Sequence, residues 1–355
     1  MYKSMLRTVS LQARSISKIG SGKRKQKTGK EEMEARYDFN RRWMQLRQAG
    51  SSLRRGSEQH PSTFKVVSYN ILAQDLLMEH LYLYMGIQQE WLTWRRRQQN
   101  LQREILKLDP DILCLQEMQY DHLALLIQGL RMGHGRPLEY VYKKRAGHRT
   151  DGCAIVYDSS KFQLLDQRAV ELHDQQVALL NRENVALFAK FRFKMDPDPC
   201  KEFVVATTHL LYNPKRNDVR CAQVNRMLEE LSTFSEDAPV VLTGDFNSLG
   251  DSPAIEKLIG RQEKRETEKT ETKTENSRMR FEIVNPGEGT GSTYQDDWII
   301  VDYILRSISS RGNYKLLPVS IYTLPSINRC NSVGRIPNHY LGSDHYALGA
   351  VFAVV

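Results

Sequence analysis

Six short motifs set a chemically capable side chain at the tip of an apolar run or inside one. They are Ser68-Tyr69-Asn70, Leu115-Gln116-Glu117, Thr207-Thr208-His209, Thr243-Gly244-Asp245-Phe246-Asn247, Ile300-Val301-Asp302-Tyr303 and Gly342-Ser343-Asp344-His345. The groups they offer are carboxylates, carboxamides and imidazoles, from which metal-ligating and acid–base sites are built. Singly, an acid or histidine after an apolar run is most often a turn, cap or structural residue. As a set they say more, because each follows or interrupts a strand-like run, and α/β sheets gather their sites at strand ends. No Ser-His-Asp or Cys-His signature accompanies them.

The elements that must carry these tips can be read from the pattern. Phe64-Lys65-Val66-Val67-Ser68-Tyr69 reads as a strand, as do Asp111 to Gln116, Cys153 to Tyr157, Val185 to Phe193, Phe203 to Thr208 and Val240 to Leu242. Trp91 to Leu108 reads as a helix. Strands with intervening helices over nearly 300 residues predict an α/β protein with extended sheets. Residues 1–62 form a separate, basic and largely flexible segment in which Glu31 to Gln48, with Met33, Tyr37, Trp43 and Met44, is the one predicted helix. Residues 63–355 form the domain. Within it, Arg261 to Arg280 holds seven basic and five acidic residues, four Thr and a single apolar residue, Met279. Such a stretch cannot join a core and is expected as a charged surface insertion.

Composition narrows the class. Hydrophobic residues make up 40% and charged residues 26% of the 355, an ordinary globular mix. No uninterrupted apolar run approaches the roughly 18 residues of a membrane helix, so no membrane association is expected. The five cysteines are odd in number and lack CxxC spacing, which disfavours a disulfide scaffold or zinc ribbon and fits a reducing, intracellular compartment. The net charge of +9 belongs to the tail: nine of the 51 basic residues and none of the 42 acidic ones lie in residues 1–30, leaving 42 of each beyond. The body therefore shows no broad basic face.

Taken together, the motifs resemble the endonuclease/exonuclease/phosphatase superfamily, and within it the deadenylase-related branch that includes the Angel group. The resemblance runs from Phe64 to Val355 and rests on Val67 to Leu77, Asp111 to Glu117, Thr208-His209-Leu210-Leu211-Tyr212-Asn213-Pro214, Gly244 to Ser248 and Ser343-Asp344-His345, in family order. Tyr212-Asn213-Pro214 after His209 points to the Angel group. The chain departs from the family shortly after Gly244 to Ser248, where Gly250 stands nearest the usual proline and Pro253 comes later.

The resemblance implies a four-layer sandwich of two mixed β-sheets flanked by helices, a monomer, and Mg²⁺-dependent phosphoester hydrolysis at RNA 3′ ends. One or two ions are implied, with Mn²⁺ able to substitute. Hard Mg²⁺ takes oxygen ligands. Glu117 is expected as the principal one, an exposed ligand whose removal would spare the fold. Asn70 would bind metal or phosphate, and Asp245, Asn247 and His345 would hold a second ion, with Asp344 beside them. Asp245 would also orient or deprotonate the attacking water, His209 would donate to a phosphate oxygen, and Asp302 would fix the tautomer of His345. Asp151, Asn184 and Pro214 match substrate-side segments. Phosphoryl transfer asks for positioning and charge neutralisation, so no nucleophilic side chain is required. Four functions remain open on the sequence: 2′,3′-cyclic phosphate removal, which is favoured; 3′–5′ removal of terminal adenylates; a catalytically silent RNA- or protein-binding relative; and a phosphatase for lipid or small-molecule phosphates.

Two further stretches are ambiguous. Tyr120 to Leu126 fits the Tyr-x4-Leu-apolar pattern by which some proteins bind the translation cap-binding factor, but its place on a helix after Glu117 predicts core burial instead. In residues 1–20, Lys3, Arg7, Arg14 and Lys18 share one helical face opposite Met5, Leu6, Val9, Ala13, Ile16 and Ile19. That fits a mitochondrial transit peptide. A disordered basic tail fits as well, with Lys23-Arg24-Lys25 as a nuclear signal or RNA contact, so cytoplasmic, mitochondrial and nuclear locations stay open.

Overall fold

Strand β8, Glu202–His209, shows how the sequence builds the molecule. Phe203 and Val205 point into a core between two sheets, whereas Val204 and Ala206 point to a second core under helices. A strand buried on both faces must be apolar at every position, which is why these runs lack the usual polar alternation. The computed structural model describes residues 41–46, 62–261, 279–284, 287, 289–308 and 312–355.

The first sheet contains β1 (Trp43–Gln45), β2 (Thr63–Asn70), β3 (Ile112–Gln119), β4 (Leu138–Lys144) and β5 (Asp151–Asp158), with β14 (Leu316–Tyr322) and β15 (Leu348–Val354); its order is β1-β14-β15-β2-β3-β5-β4. The second contains β6 (Phe162–Glu171), β7 (Val185–Phe193), β8, β9 (Val240–Asp245), β10 (Phe281–Ile283) and β13 (Asp302–Ser307), in the order β10-β13-β9-β8-β7-β6. A small hairpin pairs β11 (Thr293–Gln295) with β12 (Asp297–Ile299). Each large sheet has one parallel pair among its described strands, β2/β3 and β8/β9, and all its other pairings are antiparallel. These two parallel pairs pack against each other across the sandwich, so their carboxyl ends come together.

Phe64, Phe162, Phe191, Phe193, Phe203 and Phe352 fill the space between the sheets, with Phe64 and Phe203 stacked at 4.3 Å. Each fully buried Phe contributes roughly 1.5–3 kcal/mol. Helices cover the outer faces and complete the four layers. They are α1 (Gln74–Glu79), α2 (Gln89–Leu92), α3 (Trp94–Leu108), α4 (Tyr120–His134), α5 (Asn217–Ser235), α6 (Pro253–Leu258) and α7 (Ile327–Val333). Helix α5 buries Val224, Met227, Leu231 and Phe234, a 3–4 residue stripe against the second sheet. Leu101, Ile105 and Leu108 of α3 and Leu123, Leu126 and Ile127 of α4 do the same for the first.

Four expectations change. Trp43–Gln45, expected in a helix, is a strand pairing with β14; Trp43 packs on Tyr322 at 5.4 Å, and Arg41 donates to Thr323 O at 2.8 Å. A partner nearly 280 residues away decides this conformation, and the domain accordingly begins before residue 63. The rest of the predicted helix, Lys23-Arg24-Lys25, the amphipathic residues 1–20 and residues 262–278 of the charged insertion lie outside the described residues. The predicted Trp91–Leu108 helix breaks at Thr93, whose backbone is extended (ψ 139°) and whose hydroxyl donates to Glu90 O at 2.9 Å, a side chain competing with helical hydrogen bonding. On α4, Tyr120 and Leu125 face solvent, 66% and 57% exposed, while Leu126 is buried. Only the residues on the sheet-facing stripe are covered, so burial of the whole Tyr120–Leu126 motif does not hold.

Candidate active site

Asn70 ends β2, Glu117 lies near the end of β3, His209 ends β8 and Asp245 ends β9. Register links them: His209 pairs with Asp245, and Asp245 with Asp302 at the start of β13. Gly244 makes this possible. At φ +143° its α-carbon sits so close to β8 that a Cβ would lie 2.1 Å from Thr208 O, so no larger residue fits before Asp245.

Glu117 reaches the cleft through irregular backbone. The β3–β5 register shifts between Leu115 and Met118, and Glu117 takes φ +56°, a left-handed conformation costing about 1–3 kcal/mol for such a residue. Surrounding bonds hold it there. Ala73 N–H donates to Oε2 at 2.9 Å and Asn70 Nδ2 to Oε1 at 2.9 Å. Its side chain is 12% exposed, so the ligand expected to be exposed is mostly covered and tied into the fold.

Asp245 Oδ2 is the meeting point. Asn70 Nδ2 donates to it at 3.0 Å, His209 Nε2 lies at 3.6 Å and His345 Nε2 at 3.8 Å; His209 Nε2 is also 4.0 Å from Glu117 Oε1. Asp245 Oδ1 accepts from Asn247 N at 2.9 Å. Asn247, at φ +48°, gives Nδ2 to Leu210 O at 3.0 Å and keeps Oδ1 without a partner among the described residues. Asp302 Oδ2 sits 2.9 Å from His345 Nδ1, which leaves Nε2 directed toward Asp245. Asp344 accepts from the Tyr84 hydroxyl at 2.7 Å.

Burial sets the charges. It pushes Asp245 up to about 7, with Asp302 adding to the rise. Burial also raises Asp344. For His345 burial opposes the charge, but Asp302 and Asp245 override it and hold the ring well above the usual imidazole range. Burial, then Arg145, drives His209 down to about 3. Asp245, Asp302 and His345 together offer ligand atoms within 4.8 Å of one another. Buried like charges around oxygen and imidazole donors suit a divalent cation, which would supply the missing positive charge.

The remaining expected residues divide. Asp151 begins β5 and is buried; its Oδ1 accepts from Arg145 Nη2 at 2.6 Å. Asn184 is buried as well, but its carboxamide faces the protein, donating to His209 O at 2.9 Å and accepting from Gln223 Nε2 at 2.8 Å, so here it supports His209. Pro214 lies on an exposed loop whose carbonyls at Leu211, Asn213 and Pro214 are gathered by Arg220. It makes no described contact with the acids. Sequence reasoning missed Arg145 and Tyr84. The basic run Lys143-Lys144-Arg145 ahead of Asp151 was a signal for the first; nothing in the pattern marked the second.

Two mixed sheets with this cleft at their shared strand ends are the architecture that a family model, described as the endonuclease/exonuclease/phosphatase family, matches over residues 67–345. The chain belongs to that family. Within it the relatives are of the Angel group: the chain is 64% identical to Protein angel of Drosophila melanogaster over all of both chains. It is 41% identical to protein angel homolog 2 of Homo sapiens over 54% of this chain and 36% of that protein. Among solved structures it is similar to ANGEL2, a 2′,3′-cyclic phosphatase, with TM-score 0.72 and 28% identity over 88% of this chain and 97% of that one. The complex of ANGEL2 with adenosine-2′,3′-vanadate gives TM-score 0.70 at 28% identity, over 88% and 98%. The human Nocturnin catalytic domain shares the fold, with TM-score 0.62 at 21% identity over 89% and 98%. Among the described residues no helix is long and apolar enough to cross a membrane.

Proposed function

We propose that this chain is a magnesium-dependent phosphoesterase that removes 2′,3′-cyclic phosphates from RNA 3′ ends. The observation that carries the reading is the convergence of Asn70, His209 and His345 on Asp245 Oδ2, with Glu117, beside Asn70 on the first sheet, facing His209 of the second. Magnesium, when bound, supplies Lewis acidity to a phosphate oxygen and a water of lowered pKa. Glu117, Asn70 and Asp245 would hold it, and Asn247 and His345 could hold a second ion. Mn²⁺, which accepts the same oxygen donors, would substitute.

The protein's own groups do the rest. Asp245 orients the attacking water and accepts its proton as the attack proceeds. His209, neutral and with Nε2 toward the acids, donates to a phosphate oxygen as charge builds. Asp302 keeps the His345 ring in one tautomer.

Likeness to ANGEL2, a 2′,3′-cyclic phosphatase, supports the cyclic ester over an ordinary 3′–5′ phosphodiester. The test incubates the protein and Mg²⁺ with two end-labelled RNAs, one ending in a 2′,3′-cyclic phosphate and one in oligo(A) with free hydroxyls. Loss of the terminal phosphate at unchanged length is expected. Shortening of the oligo(A) with the cyclic end untouched would show a deadenylase instead, and no reaction with either RNA would overturn both RNA-end readings.

A further inference from the structure

Two arginines approach the acids of the cleft, and they are used differently. Arg97 is fully buried, and all its donors go to fixed acceptors. Nη1 bonds Ile71 O and Gly342 O at 3.0 and 3.1 Å, Nη2 bonds Leu72 O and Gln74 Oε1 at 2.8 and 2.9 Å, and Nε bonds Gln74 Oε1 at 3.3 Å. It has nothing left for a ligand. Arg145, 12% exposed on the β4–β5 loop, aims Nε and Nη2 at one oxygen, Asp151 Oδ1, at 3.1 and 2.6 Å. Its Nη1 has no partner among the described residues. Asp151 is 1% exposed, and its Oδ2 is buried and unpartnered.

The sheet fixes where this pair stands. Asp151 pairs with Gln119 and Gly152 with Met118, so Asp151 occupies the strand beside the bulge that carries Glu117. Arg145 N–H donates to Asp151 O at 2.9 Å and folds the loop back onto it. The guanidinium is the side-chain charge that acts most strongly on His209, and Glu117 acts on it in turn. It is thus within electrostatic reach of both the ring that would meet a phosphate oxygen and the carboxylate that would hold metal. A guanidinium pinned along one edge, with a donor free beside acids, is arranged for an anion presenting several oxygens.

Resting on the cyclic-phosphatase reading, we propose that Arg145 binds the phosphate monoester formed by ring opening and carries it through the second hydrolysis, with Asp151 as the positioning residue. In the first step water adds to phosphorus, the bond to one ribose oxygen breaks, and that oxygen takes a proton. A monoester and one free hydroxyl result. In the second, water adds again and the remaining ribose oxygen leaves and is protonated, giving a diol and orthophosphate. Water is the sole co-reactant. The cyclic diester carries one negative charge and the monoester about −1.5 to −2 at neutral pH, so a fixed cation weighs more on the second step.

The test follows a labelled RNA with a 2′,3′-cyclic phosphate through wild type, Arg145→Gln, Arg145→Lys and Asp151→Asn, resolving cyclic, monoester and hydroxyl ends, with thermal unfolding of each protein in parallel. Wild type is expected to yield hydroxyl ends with little monoester. Arg145→Gln should slow monoester hydrolysis roughly 10²–10³-fold and ring opening much less, so that monoester accumulates. Arg145→Lys, which keeps the charge without the fork, should accumulate less, and it carries the test if Arg145→Gln does not fold. Asp151→Asn should raise KM for the monoester more than it lowers kcat. Equal slowing of both steps in a folded Arg145 variant overturns the proposal, as does a wild type that opens the ring and stops. A wild type that leaves the cyclic end untouched overturns the cyclic-phosphate reading, and this proposal with it.

Discussion

The two sheets deliver their halves of the cleft by different means. The second sheet places His209, Asp245 and Asp302 by regular pairing, in register and buried, and its precision comes from the ladder itself. The first places Glu117 by breaking its ladder, with a bulge, a left-handed residue and hydrogen bonds from Ala73 and Asn70. A regular edge suits groups that must hold fixed mutual geometry, as the proposed reaction asks of these acids and imidazoles. A bulge turns one carboxylate out of the sheet toward a ligand. Asn70, bonded to Glu117 and Asp245 through one nitrogen, joins the halves.

This contrast orders the expected effects. Glu117→Ala should be the most damaging to activity, at least ~10³-fold at saturating Mg²⁺, because it removes the one acid the first sheet brings to Asn70. Thermal unfolding without metal should change little, since the loss of the bonds from Ala73 and Asn70 is offset by removal of a carboxylate from near Asp344. Activity within about tenfold of wild type would remove Glu117 from its role. Asp302→Asn should cost less, about 10–100-fold, with its signature in the pH–rate profile. Without that acid the His345 imidazole no longer holds its proton to high pH, so the limb it governs should move to lower pH. An unmoved profile would mean that Asp302 acts only through packing.

A smaller effect concerns stability without metal. Asp245 titrates higher in the folded state than the ordinary carboxylate value of 3.8, so the folded protein binds the extra proton between 3.8 and about 7. Asp245's contribution to the stability of the metal-free protein should therefore fall as pH rises through that window, by on the order of 1–4 kcal/mol, while His209, depressed to about 3, contributes in the opposite direction. His345, raised by Asp302, contributes stability below its unfolded value that is lost as pH rises through its higher folded value, a change in the same direction as that of Asp245. Mg²⁺ should flatten the decline. Urea unfolding of wild type and Asp245→Asn at pH 4 and pH 7, with and without Mg²⁺, separates this contribution from that of His209; without Mg²⁺ the stability difference should shift in favour of the variant from pH 4 to pH 7, and no such shift would contradict the account. Smallest of all, deletion of residues 1–30 should leave the rate on short RNAs nearly unchanged, because every cleft residue lies beyond Phe64.

Much of this was legible in the sequence because strands buried on both faces leave uninterrupted apolar runs. Val185–Phe193 forms a strand over its full predicted length, and Phe203–Thr208 lengthens by a residue at each end. The tips could be recognised as a set for the same reason: polar residues stand out at the end of such runs. Features that depend on distant partners were not legible. Trp43–Gln45 is a strand only because β14 is beside it, and helical spacing of apolar residues pointed the other way. The bulge at Glu117 has no glycine or proline to mark it. The Arg145–Asp151 pair depends on how a loop closes, and Asn184 was read toward substrate although its carboxamide faces the backbone of His209.

The joining of the two sheets at one cation is the central claim, and metal binding tests it without turnover. Mn²⁺ binding, followed by paramagnetic resonance of the free ion, should be at least ~10-fold weaker in Glu117→Ala and in Asp245→Asn than in wild type, each change having removed one sheet's ligand. A folded Glu117→Ala protein that binds Mn²⁺ as tightly as wild type would contradict it.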